Sequence, residues 1–190
     1  MGCTKKPFNP GDHSETGVAS WYGHPFDGRL TANGETYDME KMTAAHRTLP
    51  FGTVLRVENL GNGKTTQVRV NDRGPFVKDR IIDLSHAASQ SISMPGIANV
   101  RLRVISMPPT RGADLFAVQV GAFAQRAEAE QLRVQMQTRF GDASLIFRDR
   151  YQTWSVLVGH LPTSEAAEAL AGQIGDQMGP AFVVLADAVP

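Results

Sequence analysis

Two carboxyls and an imidazole stand near turns in the first half of this chain. Glu35 closes Thr31-Ala32-Asn33-Gly34-Glu35, His46 ends Thr43-Ala44-Ala45-His46, and Asp72 lies in Asn71-Asp72-Arg73-Gly74-Pro75-Phe76. These are the residue types that give and take protons at a reacting bond. Asp72 follows a strand-like run, Gln67–Val70, so its carboxyl can face a cleft from a rigid base. Taken singly, each residue also has a plainer reading. Asp72 could cap its turn or pair with Arg73, Glu35 could be a solvated turn residue, and His46 beside Arg47 could be an ordinary surface histidine. Only tertiary folding can bring the three together. Asp83-Leu84-Ser85 reads as an N-cap for the Ala87-Ala88 segment. No HExxH, paired cysteines or other metal-ligand spacing occurs, and neither a phosphate loop nor a GxSxG elbow is present, so no metal and no cofactor is expected.

The elements that must position these residues form two groups. Residues 17–105 carry short β-rich runs at Val18–Tyr22, Thr53–Asn59, Thr65–Val70, Ile81–Leu84 and Val100–Ile105, with a short helix expected at Met39–His46. Turn signals separate the runs: Asn33-Gly34, Asn62-Gly63 and Arg73-Gly74-Pro75. Many short strands with glycine-rich turns suggest a small closed barrel. Trp21 and Tyr22 sit in an alternating strand, where such rings serve equally as core or as a stacking platform.

Ser106-Met107-Pro108-Pro109-Thr110-Arg111-Gly112 then reads as a domain link, short enough to keep its flanks close. Beyond it the chain repeats itself. Val118–Phe123 is matched by Val156–Leu161, Ala129-Glu130 by Ala167-Glu168, and Leu132 by Leu170. Each copy has an alternating strand ending at glycine, followed by helical spacing, with Thr163 or Ser164 placed to cap the second helix. Strand-like runs at Ser144–Phe147 and Ala181–Leu185 complete a β-α-β-β-α-β order. That order predicts a four-stranded antiparallel sheet with two helices on one face, a ferredoxin-like layout. Gln119 should point opposite Val118 and Val120; Trp154 begins the equivalent strand, and Phe123 reads as core. The divisions are a tether at 1–16, a first domain at 17–105, a link at 106–113 and a second domain at 114–187.

Composition narrows the function classes. The 190 residues balance 19 Lys+Arg against 19 Asp+Glu, and 42% are hydrophobic. The neutral total hides a split: 11 basic against 8 acidic residues in 17–105, and 5 against 9 in 112–190. A general nucleic-acid binder carries a larger basic surplus, so none is expected as a partner. One cysteine excludes an internal disulfide framework. No apolar run reaches the roughly 18–20 residues of a membrane helix. The one cysteine, Cys3, stands in Met1-Gly2-Cys3-Thr4 before a polar, proline-containing stretch. Gly-Cys followed by such a tether is similar to the cleavage point of a bacterial lipoprotein, with the leader already removed and the thiol carrying lipid.

Five motifs stand in order along the first domain: Gly17-Val18-Ala19-Ser20-Trp21-Tyr22-Gly23, Thr31–Glu35, Thr43–Thr53, Asn71–Phe76 and Arg80-Ile81-Ile82-Asp83-Leu84-Ser85. Together they closely resemble the rare lipoprotein A family. That resemblance implies a six-stranded double-psi β-barrel and an endolytic peptidoglycan lytic transglycosylase. Such an enzyme cuts the β-1,4 bond between N-acetylmuramic acid and N-acetylglucosamine, leaving a 1,6-anhydro end. It places the acid/base on Asp72 and further catalytic positions on Glu35 and His46, with Trp21, Tyr22, Asn33 and Arg73 binding substrate. Residues 114–187 resemble a SPOR domain. The resemblance implies that glycan stripped of stem peptides binds its helix-free sheet face, with Gln119 and Trp154 in contact. Ser155, Leu157, His160 and Leu161 depart from the Arg and Pro-Phe that SPOR relatives often carry there. The expected protein is a monomer, anchored through lipid on Cys3 at the periplasmic side of the outer membrane and concentrated at the division septum. The alternative is an expansin-like wall-binding protein that loosens glycan without cutting it.

Overall fold

The computed structural model describes residues 14–108 and 115–186. Cys3, the tether up to residue 13 and most of the Pro-Pro link lie outside them.

Residues 14–106 form a closed barrel from β1 (Ser14–Tyr22), β2 (Thr43–Ala45), β3 (Val54–Asn59), β4 (Thr65–Asp72), β5 (Arg80–Ser85) and β6 (Ala98–Ser106), with α1 (His86–Ser91) between the last two. Strand order around the barrel is β1-β5-β2-β4-β3-β6. β1 runs parallel to β5 and β2 parallel to β4, while every other neighbouring pair is antiparallel. This is the six-stranded double-psi barrel expected. Alternation makes it: along β3, Leu55, Val57 and Asn59 are buried while Arg56 is exposed. Leu55, Val57, Val68, Val70, Ile82, Leu84, Val100 and Leu102 fill the interior. Each such side chain, fully buried, contributes about 1.5–3 kcal/mol. Closure leaves no open sheet edge.

Three local expectations change. Thr43–Ala45 is a strand rather than the end of a helix: its three residues are buried, and it pairs with β4 and β5. Pairing with neighbours distant in sequence overrides local helix preference. Asp83 does not cap α1; Ser85 does, its hydroxyl accepting from the Ala88 N–H. Asp83 instead lies within β5 with its side chain in the cleft described below. Ser14, Glu15 and Thr16, at the end of the expected tether, already pair with Arg103, Leu102 and Arg101 of β6.

The second domain runs β7 (Phe116–Phe123), α2 (Arg126–Phe140), β8 (Ala143–Arg148), β9 (Thr153–Leu161), α3 (Ser164–Met178) and β10 (Phe182–Leu185). Its sheet order is β10-β7-β9-β8, antiparallel throughout. Val118, Val156 and Val158 meet Ala129 and Met136 of α2 and Ala167 and Ile174 of α3 on one face. Thr163 caps α3, accepting from the Ala166 N–H. The ferredoxin-like layout and the helix-bearing face are therefore as expected. Among the described residues no helix is long and apolar enough to cross a membrane.

The two domains are docked. Ala117, Leu157 and Val184, on the helix-free face of the sheet, pack with Phe76 of the barrel. The Leu185 N–H donates to the Arg47 carbonyl at 2.9 Å. The turn between β8 and β9, a 3-10 segment at Asp149–Tyr151, contacts the barrel through Arg150 and Asp149.

Candidate active site at the domain junction

Asp72 ends β4 at the barrel mouth and is 2% exposed. Its Oδ1 accepts from the Ala32 N–H at 2.9 Å and from the Arg73 N–H at 2.8 Å. Backbone donors thus fix one oxygen without a mobile side chain. Its Oδ2 meets the Arg150 guanidinium at 2.8 Å. Arg150 belongs to the 3-10 turn of the second domain and is itself 3% exposed. Its other nitrogen lies 3.3 Å from Asp83 Oδ2, and its plane stacks 3.4 Å from the centre of the Tyr22 ring. Burial opposes the Arg150 charge, but Tyr151, Asp72, Tyr22 and Asp83 outweigh it and hold the guanidinium more firmly protonated than usual. Asp83 also accepts a hydrogen bond from the Ser20 hydroxyl.

Glu35 sits on the loop beside Asp72. The Asn33 N–H donates to the Asn71 carbonyl, and Asn33 Oδ1 accepts from both Thr31 Oγ1 and the Glu35 N–H, so Asn33 builds this turn. Gly34 takes φ 86°, which glycine adopts without steric cost. The Glu35 carboxylate is gripped by Arg69 through two bonds, 2.9 and 2.8 Å, and by Asn71 Nδ2 at 3.2 Å. The Arg69 hydrogen bonds are the main reason its pKa falls to about 2. Glu35 is therefore an anion throughout the ordinary pH range, with a side chain 45% exposed.

The His46 ring points elsewhere. Its Nδ1 accepts from the Thr48 and Leu49 N–H groups at 3.2 and 3.1 Å, leaving Nε2 to donate to Glu15 at 3.2 Å. Burial pushes its pKa down, against the pull of Glu15. Only its main chain touches the Asp72 region, where the His46 N–H donates to the Asp72 carbonyl at 3.1 Å. Its imidazole thus orients neither Asp72 nor Glu35.

The expected substrate contacts fall into three places. Trp21 (36% exposed), Tyr22 and Gln119 line a cavity of about 360 Å³ between the domains, together with Phe76, Tyr151 and Ser155. Tyr22 is mostly core, packed on Tyr37 with ring centres 4.3 Å apart. Gln119 lies on the helix-free face as expected, but the barrel covers it to 3% exposure. Arg73 is buried; it donates to the His46 and Leu49 carbonyls and stacks 3.7 Å from the Phe51 ring, pinning the 46–51 loop. Trp154 joins the helix side of the sheet, under Arg126 and beside Phe147.

Sequence reasoning missed four residues of the site: Arg69, Asn71, Asp83 and Arg150. Asp83 carried a usable signal, a carboxylate inside an apolar strand, Ile81-Ile82-Asp83-Leu84. Arg150 carried none, because its partners come from another domain. Among the described residues no cluster of His, Cys, Asp or Glu has the makings of a metal site.

The site can thus present one backbone-oriented carboxyl beside one fixed carboxylate, under aromatic walls. Both domains match known families. Residues 14–104 match the lytic transglycolase family model, and residues 112–185 match the SPOR domain model. The endolytic peptidoglycan transglycosylase RlpA of Vibrio cholerae is 57% identical over 106 residues, covering 54% of this chain and 40% of its own. That of Neisseria meningitidis serogroup B is 41% identical over 171 residues, covering 84% of this chain and 71% of its own. This chain spans 33–54% of the length of the Vibrio, Pseudomonas and Campylobacter relatives. Among solved structures, an expansin from Clavibacter michiganensis is 15% identical, with a TM-score of 0.40 over 94% of this chain and 93% of its own.

Proposed function

The chain belongs to the RlpA family, and from that premise we propose that it is an endolytic peptidoglycan transglycosylase. Its substrate is the β-1,4 bond between N-acetylmuramic acid and N-acetylglucosamine in strands stripped of stem peptides. The observation that carries this reading is the pairing of Asp72, oriented by two backbone N–H groups, with Glu35, held as an anion on the adjoining loop. Asp72, protonated, gives its proton to the glycosidic oxygen as the bond to muramoyl C1 breaks. Positive charge grows at C1, and the Glu35 carboxylate favours it electrostatically. The muramoyl 6-hydroxyl then closes on C1 and returns its proton to Asp72. One carboxyl serves both steps, since the nucleophile comes from the substrate. His46 acts through the backbone that carries it, by holding the 46–49 loop, and Arg73 acts likewise. The SPOR sheet face bearing Gln119, covered by the barrel in this conformation, would bind the same glycan once uncovered, and lipid on Cys3 would hold the enzyme at the periplasmic side of a membrane, near the septum.

A second reading, a wall-binding module that does not cut, is favoured by one observation: both oxygens of Asp72 are already occupied in this conformation. Digestion of purified sacculi, with and without stem peptides, decides between them when products are read by mass spectrometry. The enzyme releases 1,6-anhydromuramyl ends, and Asp72→Asn lowers the yield about 100-fold or more. Reducing muramic ends would mean hydrolysis instead. No product from the wild type, from Arg150→Ala or on either substrate leaves the binding module.

A further inference from the structure

We propose that Arg150 is an interdomain latch: the second domain inserts it into the barrel cleft and holds the protein in a closed, inactive form. The proposal rests on the transglycosylase reading only for what the latch controls. The latch itself stands on geometry. Among the described residues the guanidinium's hydrogen-bonded partners, Asp72 and Asp83, belong to the barrel, as do the Tyr22 and Phe26 rings it lies over. From its own domain the guanidinium meets the ring of Tyr151, its neighbour in the turn. Arg150 is thus buried among groups of the other domain.

The barrel is shaped to receive the turn. Gly74, two residues after Asp72, has φ 137°, a conformation that favours glycine, and a Cβ there would lie 2.9 Å from Tyr151 Oη. Tyr151 packs edge-on between Phe26 and Phe76, with ring centres 6.0 Å from each. Asp149 fastens the outer end of the turn, accepting from the Leu30 N–H at 2.9 Å. The contacts therefore run from the loop before Glu35 to the loop after Asp72.

Closure stops the chemistry in a specific way. A general acid must come within about 2.6–3.2 Å of the oxygen it protonates. Asp72 Oδ1 is taken by two backbone donors and Oδ2 by Arg150, and both ion-pair side chains are under 5% exposed. No glycosidic oxygen can approach until the turn withdraws. The latch is also suited to release. Three charged groups that leave water for one another gain little net stability, so a buried ion pair holds a conformation without deepening it much. Substrate that binds only the open form then draws the equilibrium toward it. Apparent activity scales with the open fraction.

The test uses the full chain as wild type, Arg150→Ala, Arg150→Lys, Asp149→Ala and Asp72→Asn/Arg150→Ala. Deuterium exchange is followed over residues 30–32, 72–76 and 149–153, and anhydromuramyl release from sacculi is followed in parallel. Arg150→Ala is expected to exchange and to turn over at least about tenfold faster than wild type, since opening multiplies the competent fraction. Arg150→Lys, a point charge without the fork or the stacking plane, falls between them. The double variant exchanges as fast as Arg150→Ala yet releases about 100-fold less product, or lower. Should Arg150→Ala fail to fold by thermal melting, Asp149→Ala carries the same expectation from the outside of the turn. Unchanged exchange overturns the latch. Faster exchange with slower turnover also overturns it and makes Arg150 part of the working site. If opened variants release no product at all, the transglycosylase reading fails, and the latch is judged by binding of peptide-free glycan strands. Binding must then strengthen about tenfold on opening, and equal binding overturns the latch.

Discussion

Asp72 and Glu35 both adjoin the turn at residues 31–35, yet they are held by different regions of the molecule. Glu35 is gripped inside one domain, by Arg69 of β4 and by Asn71. Half of its side chain is open to solvent, so its charge is cheap to keep. Asp72 is buried, and one of its oxygens is held by an arginine from the other domain. The first arrangement is permanent wherever the barrel folds. The second exists only while the domains are docked. Fixed charge and switchable acid are thereby separated, although a short loop joins them.

Amide replacements at the two carboxylates sharpen this contrast most. In the Arg150→Ala background, where the cleft is open, Asp72→Asn should lower anhydromuramyl release about 100-fold or more, the scale of losing an acid/base. Glu35→Gln in the same background should lose only about tenfold. A half-exposed charge does less than the 10²–10³-fold of a preorganised, water-excluded donor. Equal losses would break the distinction drawn here.

His46 offers the next effect, in stability rather than turnover. His46→Ala removes the acceptor of two backbone N–H groups, Thr48 and Leu49. Leaving them unpaired near the core costs about 1–3 kcal/mol. Urea unfolding of the variant should show that loss, while deuterium exchange at residues 149–153 stays at the wild-type rate. Faster exchange there would mean that the imidazole supports the docked state and that the two regions are not independent.

Much of this architecture was legible in the sequence, for reasons that differ by element. β3 and β6 show in period-2 patterns because one face of each is buried, while β5 shows as a short apolar run buried on both faces. The repeat in the second domain announced two equivalent β-α units, and Thr163 marked a helix start. β2 was hidden: three residues, Thr43-Ala44-Ala45, are too few to show a period, and only pairing with β4 and β5 makes them a strand. Asp72 and Glu35 stood out by type and by turn context. Arg69 did not, since an arginine alternating outward along a strand looks like any solvated residue until its partner is known. The docking of the helix-free face was least legible. Ala117, Gln119, Ser155 and Leu157 form a mixed surface, and nothing local to them specifies the barrel residues that cover it. Ser155 and Leu157, where the resemblance leads one to expect charged side chains, are both buried in the docked form.

Arg69→Ala tests the permanent half of the contrast through pH. Glu35 has a pKa lowered from 4.5 to about 2, chiefly by the Arg69 hydrogen bonds. The unfolded chain therefore binds this proton first as pH falls. The contribution is fully present above pH 4.5 and disappears as pH drops toward about 2. Because the pair is surface-exposed, it is worth no more than about 1 kcal/mol. Urea titrations should show wild type and Arg69→Ala separated by that small margin at pH 6 and converging as pH falls well below 4.5. A margin that persists at the lowest pH would mean that Arg69 stabilises the barrel by some route other than Glu35.

Tyr22→Phe gives the smallest effect and touches the switchable half. The Tyr22 hydroxyl is buried with no hydrogen-bond partner among the described residues, while its ring carries the Tyr37 packing and the Arg150 stack. Removing an unsatisfied buried hydroxyl while keeping the ring should be near neutral or slightly stabilising, within about 0.5 kcal/mol. Exchange at residues 149–153 should not change, because cation–π attraction comes from the face of the ring and Phe presents the same face. A loss above about 1 kcal/mol, or a loosened turn, would show that the hydroxyl takes part in the closed cleft. Tyr22 would then belong with Asp72 and Asp83 among the polar groups that Arg150 recognises.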